Sequence, residues 1–345
     1  MRHLTIYIIL IIALGIAVIF SLGLGAVQIS FQEVLQIFGN KLGIASPLKE
    51  ELTTDVLLII RLPRVLLGIL VGAALGIAGA AIQGVFRNPL AEPGLMGISA
   101  GASLFAVLII AFEVVYFQSI ASLLGYYLLA IAAFIGATVA VFIVYRLSLF
   151  QGKSLVATML LAGIAINAFA GALTGLISYL ATEQQLRSIT FWSLGSLAGA
   201  TWTSIYAISP FIMTAVIALP FYGRPLNVYA LGESQAVMMG IDTGKLKLRI
   251  IIFSTLAVGA AVAFSGVISF VGLLVPHTIR LFGGVDNRYV IPASALAGAF
   301  VLTVADLVAR ILIPPVELPI GVITALIGTP VFLYILMRDK SKMLS

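Results

Sequence analysis

Apolar runs of about twenty residues, each long enough to cross a bilayer as a helix, follow one another along almost the whole chain. Ten such runs fall at 4–27, 57–84, 95–114, 124–148, 154–180, 202–222, 249–264, 266–282, 292–312 and 319–337. In hydrocarbon every backbone polar group needs a partner within the protein, so spans of this kind are helical. Of the 345 residues 61% are hydrophobic and 9% charged, against ~25% charged in a soluble domain. The expected fold is an all-α polytopic membrane protein of about ten transmembrane helices, with residues 1–345 forming one transmembrane domain. The opening "MRHLTIYIILIIALGIAVIFSLGLGAV" exceeds the ~7–15 apolar residues of a signal-peptide core and reads as a retained first span. The run 249–282 holds two spans only if they are short or broken, and Ser265 and Gly266 mark the expected break.

The net charge of +6 does not imply nucleic acid, because the basic residues form no stripe. They sit in short loops between apolar runs. With the N-terminus inside, 13 of the 19 lysines and arginines fall on the inner side and 6 on the outer. That bias predicts both termini in the cytoplasm. The mixed segment 28–56 reads as an external amphipathic stretch or a plain loop. "VGAALGIAG" (71–79) is echoed by "VGAAVAFSG" (258–266) five spans later. The two copies then face opposite ways, as an inverted internal repeat requires, unless a chain rich in glycine and alanine matches itself by chance. Gly68, Gly72, Gly76 and Gly79 recur at helical spacing on the second span, a pattern that permits close helix packing in lipid.

Without cysteine, disulfides, thiolate metal sites and cysteine nucleophiles are excluded. His3 and His277 are the two histidines, too few for a multi-histidine metal site. "GIDTGKLK" (240–247) has three residues between its glycines and Leu246 after Lys245, so it is no phosphate loop. No nucleophile elbow or H-E-x-x-H site occurs. Among intramembrane charges, Asp306 and Arg310 at i, i+4 read either as a proton relay or as a structural pair near the outer end. "FRNPLAEPGLMGISAGAS" (86–103) interrupts the apolar pattern. Pro89 and Pro93 forbid helix there, and by residue type alone it is a sharp turn between two spans.

"RLPRVLLGILVGAALGIAGAAIQGVFRNPLAEPGLMGISAGASL" (61–104) resembles the signature region of the FecCD-type permeases. These are the membrane subunits of ABC importers for iron-siderophores, heme and cobalamin, of the type II architecture. The likeness continues through "LGESQAVMMGIDTGKLKLR" (231–249), "GVISFVGLLVPHTIRLFGGVDNRYVIPASALAGAFVLTVADLVARI" (266–311) and "ELPIGVITALIGTPVFLYIL" (317–336). The resemblance implies a homodimer in the bacterial inner membrane, two cytoplasmic ATPase chains that hold ATP and magnesium, and an external binding protein. No cofactor, metal or catalytic residue is expected in this chain. The loop at about 223–248 would carry coupling helices against the ATPase, with Gly232, Glu233, Met238, Met239, Gly240 and Ile241 at the contact. The turn Asn88, Pro89, Glu92, Pro93 and Gly94 would shape the cytoplasmic end of the pathway. Arg61, Arg64 and Arg310 would grip carboxylates of the binding protein, although as long cations at span ends they could also simply snorkel. Glu317 would compete for Arg310. Asn167, Gly171 and Thr174 would line the pathway on the dimer axis.

"EQQLRSITFWSLGSLAGATW" (183–202) most resembles the corresponding stretch of the heme-importing branch. Phe191, Trp192 and Trp202 fit an interfacial aromatic belt equally well. No axial heme ligand is evident on the pathway, so heme would slide along weak apolar walls. Heme, a ferric siderophore and cobalamin remain the candidate cargoes. The rival of another class is a proton-coupled carrier that uses Asp306.

Overall fold

A computed structural model describes residues 2–25, 27–44, 46, 51–116, 118–125, 127–151, 153–313 and 316–344. Pro47, Lys49 and Glu50 of the segment 28–56 lie outside the described residues. The regular elements of the described chain are helices apart from one hairpin of two-residue strands. Helix α1 (Arg2–Gly23) is the first span and α2 (Phe31–Lys41) follows it. A capping box fixes the start of α2: Ser30 Oγ accepts from the Glu33 amide at 3.3 Å, and Glu33 accepts from the Ser30 amide at 2.7 Å. Val34 and Ile37 are buried while Phe31 and Leu35 face outward, so α2 is the surface helix that one reading of segment 28–56 anticipates.

Next, α3 (Glu51–Asp55) continues through a wide turn at Val56–Arg61 into α4 (Leu62–Phe86). Pro63 lacks the amide that would extend the regular ladder back to Ile59, and the Leu62 amide instead reaches back five residues to Leu57. A 3₁₀ turn, Pro93–Met96, leads into α5 (Ile98–Tyr116), α6 (Gln118–Leu124) and α7 (Tyr127–Leu147). Strands β1 (Leu149–Phe150) and β2 (Lys153–Ser154) form the hairpin before α8 (Val156–Leu180). Then come α9 (Glu183–Leu194), α10 (Trp202–Ala218), α11 (Gly223–Ala230), α12 (Glu233–Met238), α13 (Thr243–Ser265), α14 (Val271–Gly283), α15 (Asn287–Ile311) and α16 (Ile320–Leu344).

Eight of these segments are long and apolar enough to span, and α5 and α14 supply two shorter apolar helices. The expected eighth span, 266–282, is short and broken at the point the sequence marks. Its helix has 13 residues, or about 20 Å, short of the ~30 Å hydrocarbon core. Residues 266–270 are not helical. Gly266 (φ 69°) and Phe270 (φ 68°) turn left-handed there. At the break the Ser196 amide donates to Ser265 O at 2.8 Å, and Gly195 packs against the Gly266 backbone. This is how non-helical backbone survives at membrane depth.

Helix α4 is the hub, packed on α15, α13, α14 and α10. A Cβ on Gly72 would overlap the Gly298 backbone of α15, and one on Gly79 would overlap Gly272 of α14, so both seams require glycine. The internal echo has a structural counterpart. Gly72 of the first copy packs on α15, whereas Gly259 of the second faces Phe134 and Ala137 of α7. Among the ten expected spans, α7 is the fourth and α15 the ninth, so the two partners are five spans apart, as the two copies are.

Candidate functional sites at the two ends of the helix bundle

At the end that carries the 223–248 loop, α11 and α12 are two short helices divided by Gly232 (φ 138°), and Gly240 (φ 81°) ends the second. A side chain at Gly232 would meet the flexible Gln235 amide, and the positive φ there is what favours glycine. Met238 and Met239 are 86% and 62% exposed, and Ile241 is half-buried. The apolar knob expected from the sequence therefore stands out into solvent. Beneath it, Lys247 of α13 is 1% exposed. Its ammonium donates to Ser154 O at 2.5 Å and to Glu233 Oε1 at 2.8 Å. Thr243 Oγ1 donates to the same carboxylate oxygen at 3.0 Å. Burial pushes the Glu233 carboxyl up, but the bonds and charge of Lys247 outweigh it and hold the carboxyl below its ordinary value. One lysine thus joins α12, the start of α13 and the hairpin that leads into α8. Glu233 sits in the sequence as an ordinary first-turn acid, and nothing local marks Lys247 as buried.

Helix α11 is clamped separately. Asn227 donates to Asp286 at 2.6 Å and accepts from the Asn287 amide at 2.8 Å. The hydrogen bonds of Arg288 hold the Asp286 carboxyl well below the carboxylate range despite burial.

The turn after α4 lies at the same end. Arg87 caps α4 in a left-handed conformation (φ 49°), and its guanidinium lies 5.2 Å from the Tyr229 ring centre, a cation–π distance. Asn88 Oδ1 accepts from the Leu90 amide at 2.9 Å, Pro89 follows it, and Pro93 opens the 3₁₀ turn. Glu92 is half-buried, and burial raises its carboxyl above the usual range. The Asn167 amide donates to Gly94 O at 3.1 Å, and Gly163 admits the Leu95 carbonyl. Asn167 is therefore a brace between α8 and the turn. Gly171 lies open with nothing near its missing side chain, and Thr174 O accepts from Ser178 within α8 at 2.8 Å. The structure brings Asn167 to the turn and leaves Gly171 and Thr174 further along the same helix.

At the opposite end the three arginines expected as free outward forks are folded inward. Arg61 is 4% exposed and Arg64 7%. Arg61 donates to Leu22 O at 2.6 Å, to Gly23 O at 2.8 Å and to Val27 O. The Leu22 and Gly23 carbonyls at the end of α1 lack helical donors and Val27 lies in the segment just beyond, which is the reason the side chain is drawn in. Arg64 Nε lies 2.9 Å from Asp306 Oδ1, and its Nη1 lies 2.7 Å from Glu317 Oε2. Arg310 Nε lies 3.2 Å from Asp306 Oδ2, and its Nη2 donates to Ser21 O at 2.9 Å. The i, i+4 pair of Asp306 and Arg310 exists as read from the sequence. Glu317, expected to compete for Arg310, pairs with Arg64 instead. Asp306 lies between two guanidiniums inside a closed ion-pair cluster, an arrangement that fits a structural role better than a relay.

Phe191 of α9 is exposed, and the Trp202 indole donates to Leu58 O at 3.0 Å. Among the described residues no group of three or more histidine, aspartate or glutamate side chains is placed to hold a metal.

Comparison with known proteins gives a consistent result. The profile of the FecCD transport family matches residues 11–338. The hemin transport system permease protein HmuU of Yersinia pestis is 41% identical over 333 residues, covering 96% of this chain and 95% of that one. The cobalamin import permease BtuC of Halobacterium salinarum is 40% identical, covering 81% of this chain and 73% of its own. The iron(3+)-hydroxamate import permease FhuG of Bacillus subtilis is 36% identical, with 92% of each chain covered. A solved structure described as an inward-facing metal-chelate type ABC transporter superposes with a TM-score of 0.82 at 30% identity, covering 95% of this chain and 97% of its own.

Proposed function

This chain belongs to the FecCD transport family and is a permease of a metal-chelate type ABC importer, and from that premise we propose that the chelate it passes is heme. The observation that carries the reading is the 41% identity to a hemin permease across 96% of this chain. The exposed Phe191 face of α9 supports it, since a flat apolar macrocycle gains from weak aromatic contacts without ligation.

The working unit is a homodimer in the bacterial inner membrane with both termini in the cytoplasm, two ATPase chains below and a binding protein outside. ATP and magnesium belong to the ATPase chains. Met238 and Met239 seat in the ATPase, and Lys247 passes the displacement of α12 to the hairpin before α8, the helix that carries Asn167, Gly171 and Thr174 along the pathway. The binding protein docks on the face that carries Glu317. Its carboxylates reach Arg64 by displacing Glu317, and Arg61 and Arg310 hold the end of α1 beneath that contact.

The test is uptake by proteoliposomes that hold the permease with its ATPase and binding protein, offered hemin, a ferric hydroxamate or cobalamin in turn. ATP-dependent accumulation of hemin alone is expected. Accumulation of either other cargo in its place refutes heme. Accumulation without the ATPase, driven by a proton gradient and abolished by Asp306→Asn, refutes the importer reading.

A further inference from the structure

An apolar groove of about 870 Å³ runs along the flank of the bundle between α1, α14, α15 and α16. Ile9, Leu274, Phe282, Val301, Val304 and Ile327 are among the side chains that form it. Ile9, Phe282, Val301 and Ile327 remain exposed, so the groove opens sideways toward the space that the bilayer occupies.

Two features at its ends set what can fill it. One end is stopped by Phe270, whose ring lies against the surface of Gly328. The other end holds Arg2, which alone among the described lining residues carries a charge. No carboxylate pairs with Arg2 among the described residues. Asp286, at the start of neighbouring α15, is already engaged by Arg288 and Asn227. His3, beside Arg2, bonds Gly283 O at 2.8 Å and stacks on Tyr289, which fixes the first turn of α1 at this mouth. From Arg2 to Leu10 the groove follows α1 for about 12 Å, close to the ~15 Å depth of hydrocarbon in one leaflet.

We propose that this groove is a binding site for an anionic phospholipid, with acyl chain between α1 and α14–α16 and phosphate against Arg2. The occupant is set by charge and length together. A zwitterionic lipid would bring its own cation beside Arg2 together with its phosphate, whereas an anionic one brings net negative charge to the mouth. A protein helix would have to bring both an acid and an apolar ridge that fits a one-leaflet slot. Basic pockets between spans on the cytoplasmic side are a known way to hold such headgroups. Because the walls come from α1 on one side and α14–α16 on the other, the bound chain acts as a spacer between the first helix and the broken-helix region.

The test uses the full permease in nanodiscs of phosphatidylcholine with a minor share of phosphatidylglycerol, transferred to mild detergent and read by native mass spectrometry. Wild type is expected to retain phosphatidylglycerol in preference to phosphatidylcholine. Arg2→Gln should lower that preference about fivefold, the effect of one basic residue near an anionic surface, while still retaining lipid. Val304→Trp should fill the slot and remove retention of both lipids. The proposal is overturned if wild type shows no enrichment, if Arg2→Gln keeps it, or if Val304→Trp leaves retention unchanged. It also fails if Val304→Trp shifts the ratio of monomer to dimer in place of lipid retention, which would make a second copy the occupant. Full displacement of the lipid by inorganic phosphate would likewise overturn it, since the chain-binding slot would then contribute nothing.

Discussion

Removing either end of the Glu233–Lys247 pair breaks the same bond, yet the two losses should differ. In Glu233→Ala the ammonium stays behind, 1% exposed, with Ser154 O as its remaining acceptor among the partners described. Stripping the partner from a buried ion costs ~3–5 kcal/mol, and screening at the 38%-exposed Glu233 side lowers the expectation to about 2–3 kcal/mol. In Lys247→Met the charge leaves with its donor, the thioether occupies much of the stem's space, and Glu233 can turn to water while keeping Thr243 at 3.0 Å. What is lost is the donor to Ser154 O, worth ~1–2 kcal/mol. The double variant should then resemble Lys247→Met and be more stable than Glu233→Ala alone, a large non-additivity of the kind expected for contacting groups. Denaturation midpoints of the three purified variants in one detergent measure this. Additive losses, or a harmless Glu233→Ala, would refute a buried lysine that depends on this acid. The sign with pH follows from the lowered carboxyl. Its contribution is full above the unfolded value of about 4.5 and disappears as pH falls through the folded value, so the deficit of Glu233→Ala should shrink on acidification.

Other substitutions probe the remaining contacts. Gly72→Leu or Gly79→Val forces a side chain into a backbone seam; the expected outcome is loss of folded protein, read as aggregation in size-exclusion profiles, whereas the same change at open Gly171 should be tolerated. Met239→Asp should leave the permease folded but reduce its assembly with the ATPase in a pull-down, because an ionised group replaces an exposed apolar contact. Glu317→Gln weakens the hold on Arg64 and should raise the affinity of the binding protein, measured by surface plasmon resonance, with a salt dependence that marks the contact as electrostatic. Glu92, raised by burial, contributes stability that is full below its unfolded value and is lost as pH rises through the folded one. Glu92→Gln should therefore flatten the melting profile above the unfolded carboxyl value and raise the midpoint at the neutral end.

The spans were legible because hydropathy over twenty residues reports the solvent directly. That 249–282 must hold short or broken spans was legible from its length, but the partner that receives the break was not, since Ser196 reaches Ser265 O from a distant part of the chain. Ser265 and Gly266 could be singled out because a glycine at a helix end is a local signal. The exposure of the methionine knob was legible for a similar reason: two methionines between glycines have no apolar face to join. The fate of the arginines was hidden. Asp306 and Arg310 are four residues apart, but Arg64 reaches Asp306 across 242 positions, and Arg61 is buried by carbonyls that any sequence would present at the end of α1. Lys247 gave no sign of burial, since its partners Glu233 and Ser154 are brought to it by loop geometry.

The glycine seam between α4 and α15 has a bearing on movement. Surfaces that touch through backbone have almost no side-chain slack to slide on, and Asn227 ties α11 to the head of α15 as well. These elements form a stator. Helix α8 lies outside this seam, packed on α5 and α7. It is joined to the turn by Asn167 and to α13 by Lys247 through the hairpin, so under the proposed coupling at α12 it is α8 that should move while the seam stands still.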